Sequence, residues 1–427
     1  MGKLIGIVAD DITGANDIGI MYAKADWHAD VYSYPFLQEK MGTFPPDVLI
    51  IDTNTRLDQY EQAYEKVFAS TKALQTQGCE QFFNKTCSVF RGNIGAEFDA
   101  MLDALESEFA VIVLGFPKNG RTTIHGQHYV HGKKLADSEF RNDPVHPMLQ
   151  SDLVGILQAQ TKRKVALVDH EIVEQGSDML KQEMNRMKSL CQYLIIDVKD
   201  QTSLQVIAQA IKDEKIICGA SGIAEELAIF MNKGQNDTGA IPIPPSEKGV
   251  LCAAGSLMPQ TYNQVEEMKR RGLPFFEMNS PMLFTHQKDA HLEELVTQLV
   301  TLLNEGKDVL VHTSNNPDVV KQTKDIGASL GFSNTAVSRV VSESLAYVVD
   351  ETLKRTNVNR LLLAGGETSA SVCSRLGIEG LTVWKEIEPG LPSCISLNSP
   401  ARMLVLKSGS FGSTDFFAKA INHLKEN

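Results

Sequence analysis

Short apolar runs alternate along the chain with longer segments whose apolar residues recur at helical spacing. The runs at 4–9, 48–52, 81–85, 110–114, 165–168, 193–198 and 215–218 predict strands. Helices are predicted between them at 59–74, 94–105, 178–190 and 204–211. Such alternation points to a mainly parallel sheet covered by helices. The rhythm breaks after residue 230, where Gly, Pro and polar residues without periodicity read as a linker, 231–248. It then resumes, with strands at 250–254, 275–278, 309–313, 360–364 and 403–407 and helices at 261–271, 292–305, 342–355 and 369–376. The expected fold class is α/β, in two domains, 1–230 and 249–427. Each is expected to be a mainly parallel or mixed sheet flanked by helices, with a ligand cleft between the two.

Charge narrows the choice of partner. The 427 residues hold 41 Lys+Arg against 53 Asp+Glu, a formal net charge of -12. Nucleic-acid binding draws its affinity from clustered Lys and Arg, so that class is disfavoured. An anionic small molecule needs only a few local donors. The seven cysteines are scattered and form no C-x-x-C pair, which argues against a disulfide framework or a structural zinc and fits a reducing cytosol. The opening MGKLIGIVADD reaches acidic residues too soon for a signal peptide, and Gly6 stands where myristoylation needs Ser or Thr. No stretch reaches the roughly 18 to 20 apolar residues of a membrane span. A cytoplasmic protein with no membrane partner is expected.

Open α/β sheets bind ligands beyond the carboxyl ends of their strands, which selects a few loops for chemistry. Asp10 and Asp11 follow the first strand. One can cap the next helix while the other accepts hydrogen bonds from substrate hydroxyls; capping alone is the plain alternative. Lys85 to Gly95 follows another strand and carries Lys85, Ser88, Arg91, Gly92 and Asn93. Two cations before a helix start suit a carboxylate, since Arg is a two-pronged donor and the helix end adds a favourable dipole. Arg56 repeats the pattern after the strand at 48–52. The polar loop 116–126 is as well explained by structure. His125, His128 and His131 recur every third residue, but without neighbouring carboxylates or thiols they read as loop histidines, and metal ligands stay unassigned.

Three glycine-bearing loops follow strands in the second half: 254–256 with Ser256, 365–369 with Gly365, Gly366, Glu367 and Thr368, and 408–412 with Gly409, Ser410, Phe411 and Gly412. Glycines let backbone N–H groups approach phosphate oxygens, and hydroxyls add donors. Three such loops in one domain favour nucleotide binding. No two glycines lie two positions apart, so G-x-G-x-x-G cannot occur, and no Gly-Lys pair is followed by Ser or Thr. A nicotinamide-dependent dehydrogenase and a Walker-type ATPase are thereby disfavoured, and a typical α/β-hydrolase lacks its G-x-S-x-G elbow.

Taken together, ADDITGA at 9–15, NTR at 54–56, KTCSVFRGN at 85–93, FPKNGRTT at 116–123, AGS at 254–256, GGETSA at 365–370 and KSGSFG at 407–412 resemble the four-carbon acid sugar kinase family over nearly the whole chain. The resemblance implies an N-terminal domain for the sugar acid and a C-terminal domain for ATP. It puts substrate contacts on Asp11, Arg56, Lys85, Ser88 and Arg91, with Gly92 and Asn93 beside them. It puts ATP contacts on Ser256, on Gly365 to Thr368 and on Gly409 to Gly412. Family members often have Asp, Thr and Asn where this chain has Cys87, Val89 and Ser410. The Arg91-Gly92-Asn93 segment is more similar to the D-threonate and D-erythronate kinases than to the 3-oxo-tetronate branch. The expected reaction is in-line transfer of the ATP γ-phosphoryl group with Mg²⁺, Asp11 orienting the acceptor hydroxyl and Asp10 as its substitute. A 3-oxo-tetronate kinase is the alternative, and a non-catalytic sugar-acid-binding protein the rival from another class. The small-molecule partners would be the sugar acid and ATP, and a homodimer is compatible with the sequence.

Overall fold

The computed structural model describes residues 4–36, 41, 45–143, 145–231, 243–245 and 249–427. The chain folds as two compact units, Met1–Gly239 and Ala240–Asn427. Most of the segment expected to be a linker, 231–248, lies outside the described residues.

The first unit opens with β1 (Ile5–Ala9), α1 (Ile12–Ala23), β2 (Ala29–Ser33), β3 (Val48–Asp52), α2 (Tyr60–Thr76), β4 (Gln81–Lys85), α3 (Ile94–Ala104) and β5 (Ala110–Val113). A small antiparallel sheet follows, β6 (Arg121–Ile124), β7 (Gln127–Val130) and β8 (Lys133–Lys134). The unit continues through α4 (Leu153–Gln158), β9 (Val165–Val168), α5 (His170–Val173), α6 (Ser177–Met187), β10 (Tyr193–Ile196), α7 (Gln201–Ile211), β11 (Ile216–Gly219) and α8 (Gly222–Phe230). Its main sheet has the order β2-β3-β1-β4-β11-β5-β10-β9, every pair parallel. Every residue of β1, β3 and β4 is buried, as parallel strands covered on both faces require.

The second unit contains β12 (Leu251–Ala254), α9 (Pro259–Arg270), β13 (Phe275–Met278), α10 (Lys288–Asn304), β14 (Val309–Thr313), α11 (Pro317–Ser329), α12 (Asn334–Lys354), β15 (Arg360–Ala364) and α13 (Gly366–Arg375). It closes with β16 (Gly380–Glu388), β17 (Leu391–Ser396), β18 (Met403–Lys407) and α14 (Phe416–Glu426). Its strand order is β13-β14-β12-β15-β18-β17-β16; the first five are parallel and β17 runs against both neighbours. The sheet of the first unit is therefore wholly parallel and that of the second mixed.

The two units share a detail that the sequence hides. Each begins with its second, third, first and fourth strands side by side, β2-β3-β1-β4 and β13-β14-β12-β15. In each, the chain leaves the first strand toward one edge and the fourth toward the other. Loops that part in this way open a crevice at the carboxyl ends, the usual ligand position in such sheets. Among the described residues no helix is long and apolar enough to cross a membrane.

Candidate active site

At the β1/β4 crossover of the first unit, two carboxylates share one guanidinium. Asp11 caps α1: its Oδ1 accepts from Gly14 N at 2.6 Å and from Thr13 Oγ1 at 3.0 Å. Its Oδ2 accepts from Arg56 Nη1. Asp10 takes the rest of that fork, Arg56 Nε and Nη2 each donating at 2.8 Å. Lys85, the last residue of β4, donates from Nζ to Thr86 O at 3.0 Å and lies 3.6 Å from Asp17 Oδ2. Gly14 suits this crowding, because a Cβ there would sit 3.0 Å from both Asp11 Oδ1 and Lys85 Nζ.

Arg91 comes from the loop after β4. Its Nε donates to Cys87 Sγ at 3.3 Å, its Nη1 to Asp143 at 2.6 Å, and its guanidinium lies 5.1 Å from the centre of the Phe140 ring. Arg91 Nη2 makes no hydrogen bond among the described residues. Gly92, at φ +98°, packs on Arg56: a Cβ there would lie 3.1 Å from that residue's Cγ. Asn93 is committed elsewhere: its amide donates to Thr55 O at 3.0 Å and Asp58 O at 2.8 Å, which fixes the loop that presents Arg56. Ser88 and Val89 are buried. Asp11 supplies the helix cap that the sequence allowed to one of the pair, and both carboxylates also accept from Arg56.

The local field is dominated by carboxylates near one another. Burial raises Asp11, but Arg56, Lys85 and the Gly14 N–H outweigh it and hold the group below the usual range. Asp52, at the end of β3, is pushed up to about 8 by burial and then by the Asp11 charge. Glu97 on α3, which accepts from Thr55 Oγ1 at 2.8 Å, rises well above its ordinary value through burial and Asp10. Burial raises Asp17 to about 6 in spite of Lys85. Cys87 is lowered because Arg91 and Arg56 overcome its burial.

In the second unit the three glycine-bearing loops meet at the β12/β15 crossover. A Cβ on Gly365 would lie 3.3 Å from Ser256 N and 3.1 Å from Thr368 Oγ1, and one on Gly409 would collide with Ser256 Oγ. Gly365 has φ +118°, a conformation that suits glycine. Two buried side chains tie down the loop after β18. Lys407 Nζ donates to Ser408 O at 2.7 Å, Gly409 O at 3.2 Å, Phe411 O at 3.0 Å and Thr261 Oγ1 at 3.0 Å. Gln264 Nε2 donates to the carbonyls of Phe411, Gly412 and Ser413 at 2.9 to 3.1 Å. In a planar trans peptide the N–H points opposite its carbonyl. The N–H groups of Gly409, Ser410 and Gly412 are thus turned away from Lys407, in the arrangement an anion needs. Next to Ser256, a cavity of about 630 Å³ opens over the ends of β12, β13 and β14.

The sugar-binding N-terminal domain model matches residues 5–227, and the nucleotide-binding C-terminal domain model matches residues 251–417. The chain belongs to the four-carbon acid sugar kinase family. This kinase is 32% identical to a 3-oxo-tetronate kinase of Pseudomonas savastanoi pv. phaseolicola over 99% of its own length and 97% of the relative's. It is 30% identical to one of Actinobacillus succinogenes, covering 98% and 99%. A solved structure of a Haemophilus influenzae protein superposes with TM-score 0.71 at 29% identity, covering 98% of this chain and all of the other. One from Salmonella typhimurium LT2 reaches 0.79 at 26% identity, covering 97% and 98%.

In this kinase Asp10, Asp11, Arg56, Lys85, Arg91 and Gly92, of the residues expected to face the sugar acid, gather at one crossover, while Ser256, Gly365, Thr368 and Gly409, of those expected to face ATP, gather at the other. Asp143 and Phe140, which hold Arg91, and Gln264 carried no sequence signal. Lys407 had one, as the last strand residue before Ser-Gly, but a cation there suggests a phosphate contact rather than a carbonyl anchor. The three loop histidines separate. His128 is buried on Thr123 Oγ1 at 3.1 Å and His131 lies by Arg121. His125 meets Asp169 and His170 from the end of β9, a carboxylate neighbour the sequence spacing did not predict.

Proposed function

We propose that the kinase transfers the γ-phosphoryl group of ATP to a hydroxyl of a four-carbon sugar acid, with a 3-oxo-tetronate as first candidate. The observation that carries this reading is the cationic set of Lys85 and Arg91 beside the Asp10–Asp11–Arg56 group at the β1/β4 crossover. Arg91 Nη2 and Lys85 Nζ hold the substrate carboxylate, with Arg56 contributing the donors its two aspartates leave. Asp11, ionised and fixed by the α1 cap, orients the acceptor hydroxyl; its low pKa makes it a weak base, which phosphoryl transfer tolerates because positioning dominates. The 3-oxo acceptor is favoured by the names of full-length relatives. D-threonate and D-erythronate form the second reading, supported by Arg91-Gly92-Asn93, although Asn93 shapes the loop instead of pointing its amide at a ligand.

On the nucleotide side, the N–H groups of Gly409, Ser410 and Gly412 and the hydroxyl of Ser256 receive phosphate oxygens. That donor set fits phosphates bearing Mg²⁺, with the Thr368 hydroxyl as the chain's own oxygen for the ion, which would neutralise charge on the transferred group. The test is ADP release with Mg-ATP against D- and L-threonate, D- and L-erythronate and their 3-oxo forms. Turnover with a 3-oxo-tetronate is expected. Turnover with D-threonate or D-erythronate alone selects the second reading, and ATP binding without any turnover removes the acceptor class.

A further inference from the structure

The β6–β7 hairpin turns on two residues, His125 and Gly126, both at positive φ, +50° and +72°. Such a turn ordinarily takes Asn or Asp followed by Gly, and His is among the few other side chains that tolerate the left-handed region. The turn puts an imidazole at the tip of the hairpin, 61% exposed. It meets the carboxyl ends of β9 and β10, at the edge of the parallel run of strands. Asp197, one residue beyond β10 and fully buried, accepts from Gly126 N at 3.0 Å and from His170 N at 3.3 Å. One carboxylate thus fixes both histidine-bearing segments. Thr123 and Val198 pair backbone to backbone beside it, N to O at 2.7 and 3.1 Å.

Three side chains gather there. His125 Nδ1 contacts Asp169 Oδ2, and the His170 ring stands edge-on to that of His125 with centroids 4.7 Å apart. His170 Nδ1 lies 2.9 Å from Asp169 Oδ1 and 3.8 Å from Asp197 Oδ2. Yet that nitrogen is buried and has no hydrogen-bond partner among the described residues. An exposed His–Asp ion pair accounts for the His125 contact and contributes little to stability. It leaves the His170 nitrogen, set between two carboxylate oxygens, without a use. One ligand atom from each of His125, Asp169 and His170 lies within 4.8 Å of the others. Around an ion held at about 2.0–2.2 Å, tetrahedral ligands stand roughly 3.3–3.6 Å apart, so modest rotations complete the set.

We propose that His125, Asp169 and His170 form a zinc site at the edge of the first unit's sheet, with the fourth position open to water beside the exposed His125. Two imidazole nitrogens and one carboxylate oxygen are donors for a borderline ion such as zinc, whereas magnesium and calcium take oxygen sets. Asp197 is the outer partner that holds both ligand segments through their backbones. Four strand spacings separate β9 from β4, roughly 19 Å at about 4.8 Å each, so the ion stands apart from the β1/β4 crossover. It ties the hairpin to the sheet edge, and the inference does not rest on the kinase reading.

Titration of the full-length, chelator-treated protein with Zn²⁺ and with Co²⁺, in the absence of nucleotide, tests it. The wild type should bind a single equivalent that excess Mg²⁺ does not displace. Its Co²⁺ form should show the absorption of a nitrogen- and oxygen-ligated ion, without a thiolate charge-transfer band. His125→Asn keeps a residue suited to φ +50°, and Asp169→Asn keeps the acceptor that caps Glu171 N at 3.0 Å. Each should cut Zn²⁺ affinity by more than the roughly 10–100-fold that loss of an outer partner costs. Wild-type affinity in either variant, a thiolate band, displacement by Mg²⁺, or no binding by the wild type overturns the inference. The two variants alter different elements, so misfolding of one leaves the other to decide.

Discussion

At the scale of single residues, the first crossover concentrates more carboxylates than its cations can neutralise, and two substitutions separate their roles. Asp11→Asn keeps an N-cap acceptor for Gly14, since Asn caps as well as Asp, but removes the charge facing Arg56 and the acceptor hydroxyl. Turnover should fall by about 100-fold or more with ATP binding nearly unchanged; near-normal kcat would remove Asp11 from its role. Asp52 tests the electrostatics. Its folded pKa of about 8 lies above the ordinary 3.8, so between those values the native state holds a proton that the unfolded state has lost. Stability should then decline as pH rises across that window. Asp52→Asn, which retains an acceptor for Asn54 N, should flatten the decline in denaturation midpoints measured from pH 5 to 8.5. The charged residues at strand ends were legible in the sequence because strand ends are where ligands bind. Asp143 and Phe140 were not, because they reach Arg91 through a loop some fifty positions away, and only folding creates that contact.

Among the elements, legibility followed burial pattern. Strands buried on both faces, such as β3 with VLIID and β15 with RLLLA, announce themselves as apolar runs. The strand β2, ADVYS, carries an aspartate and was not predicted, nor were β16 and β17, where polar residues, a proline and register shifts obscure the pattern. Only the C-terminal part of α12 was predicted, because its first turns, from Asn334, bury little. The loop after β18 shows how an element can be set by a side chain of its own strand. Lys407→Met removes the donor to three carbonyls while keeping the length of the chain. We expect the KM for ATP to rise about 10-fold or more and the KM for the sugar acid to stay level. An equal change in both would mean general loosening of the fold. Gly409→Ala should be harsher, since its Cβ would displace Ser256.

Over the whole molecule, the two ligands are assigned to two units, and each should stabilise its own. In scanning calorimetry, ADP at about 100 times its Kd adds roughly 2.7 kcal/mol to whatever binds it. For a unit of this size that corresponds to roughly 5–10 °C. ADP should shift the transition of the second unit and a bound tetronate that of the first; both ligands moving one and the same transition would contradict the assignment. The units also have a property that follows from their order along the chain. Every strand of the parallel run β2-β3-β1-β4-β11-β5-β10-β9 lies before residue 220. During synthesis, domains emerging first can fold as units. The sugar-acid half can therefore close its parallel sheet, with its slow long-range pairings, while the nucleotide half is still being made.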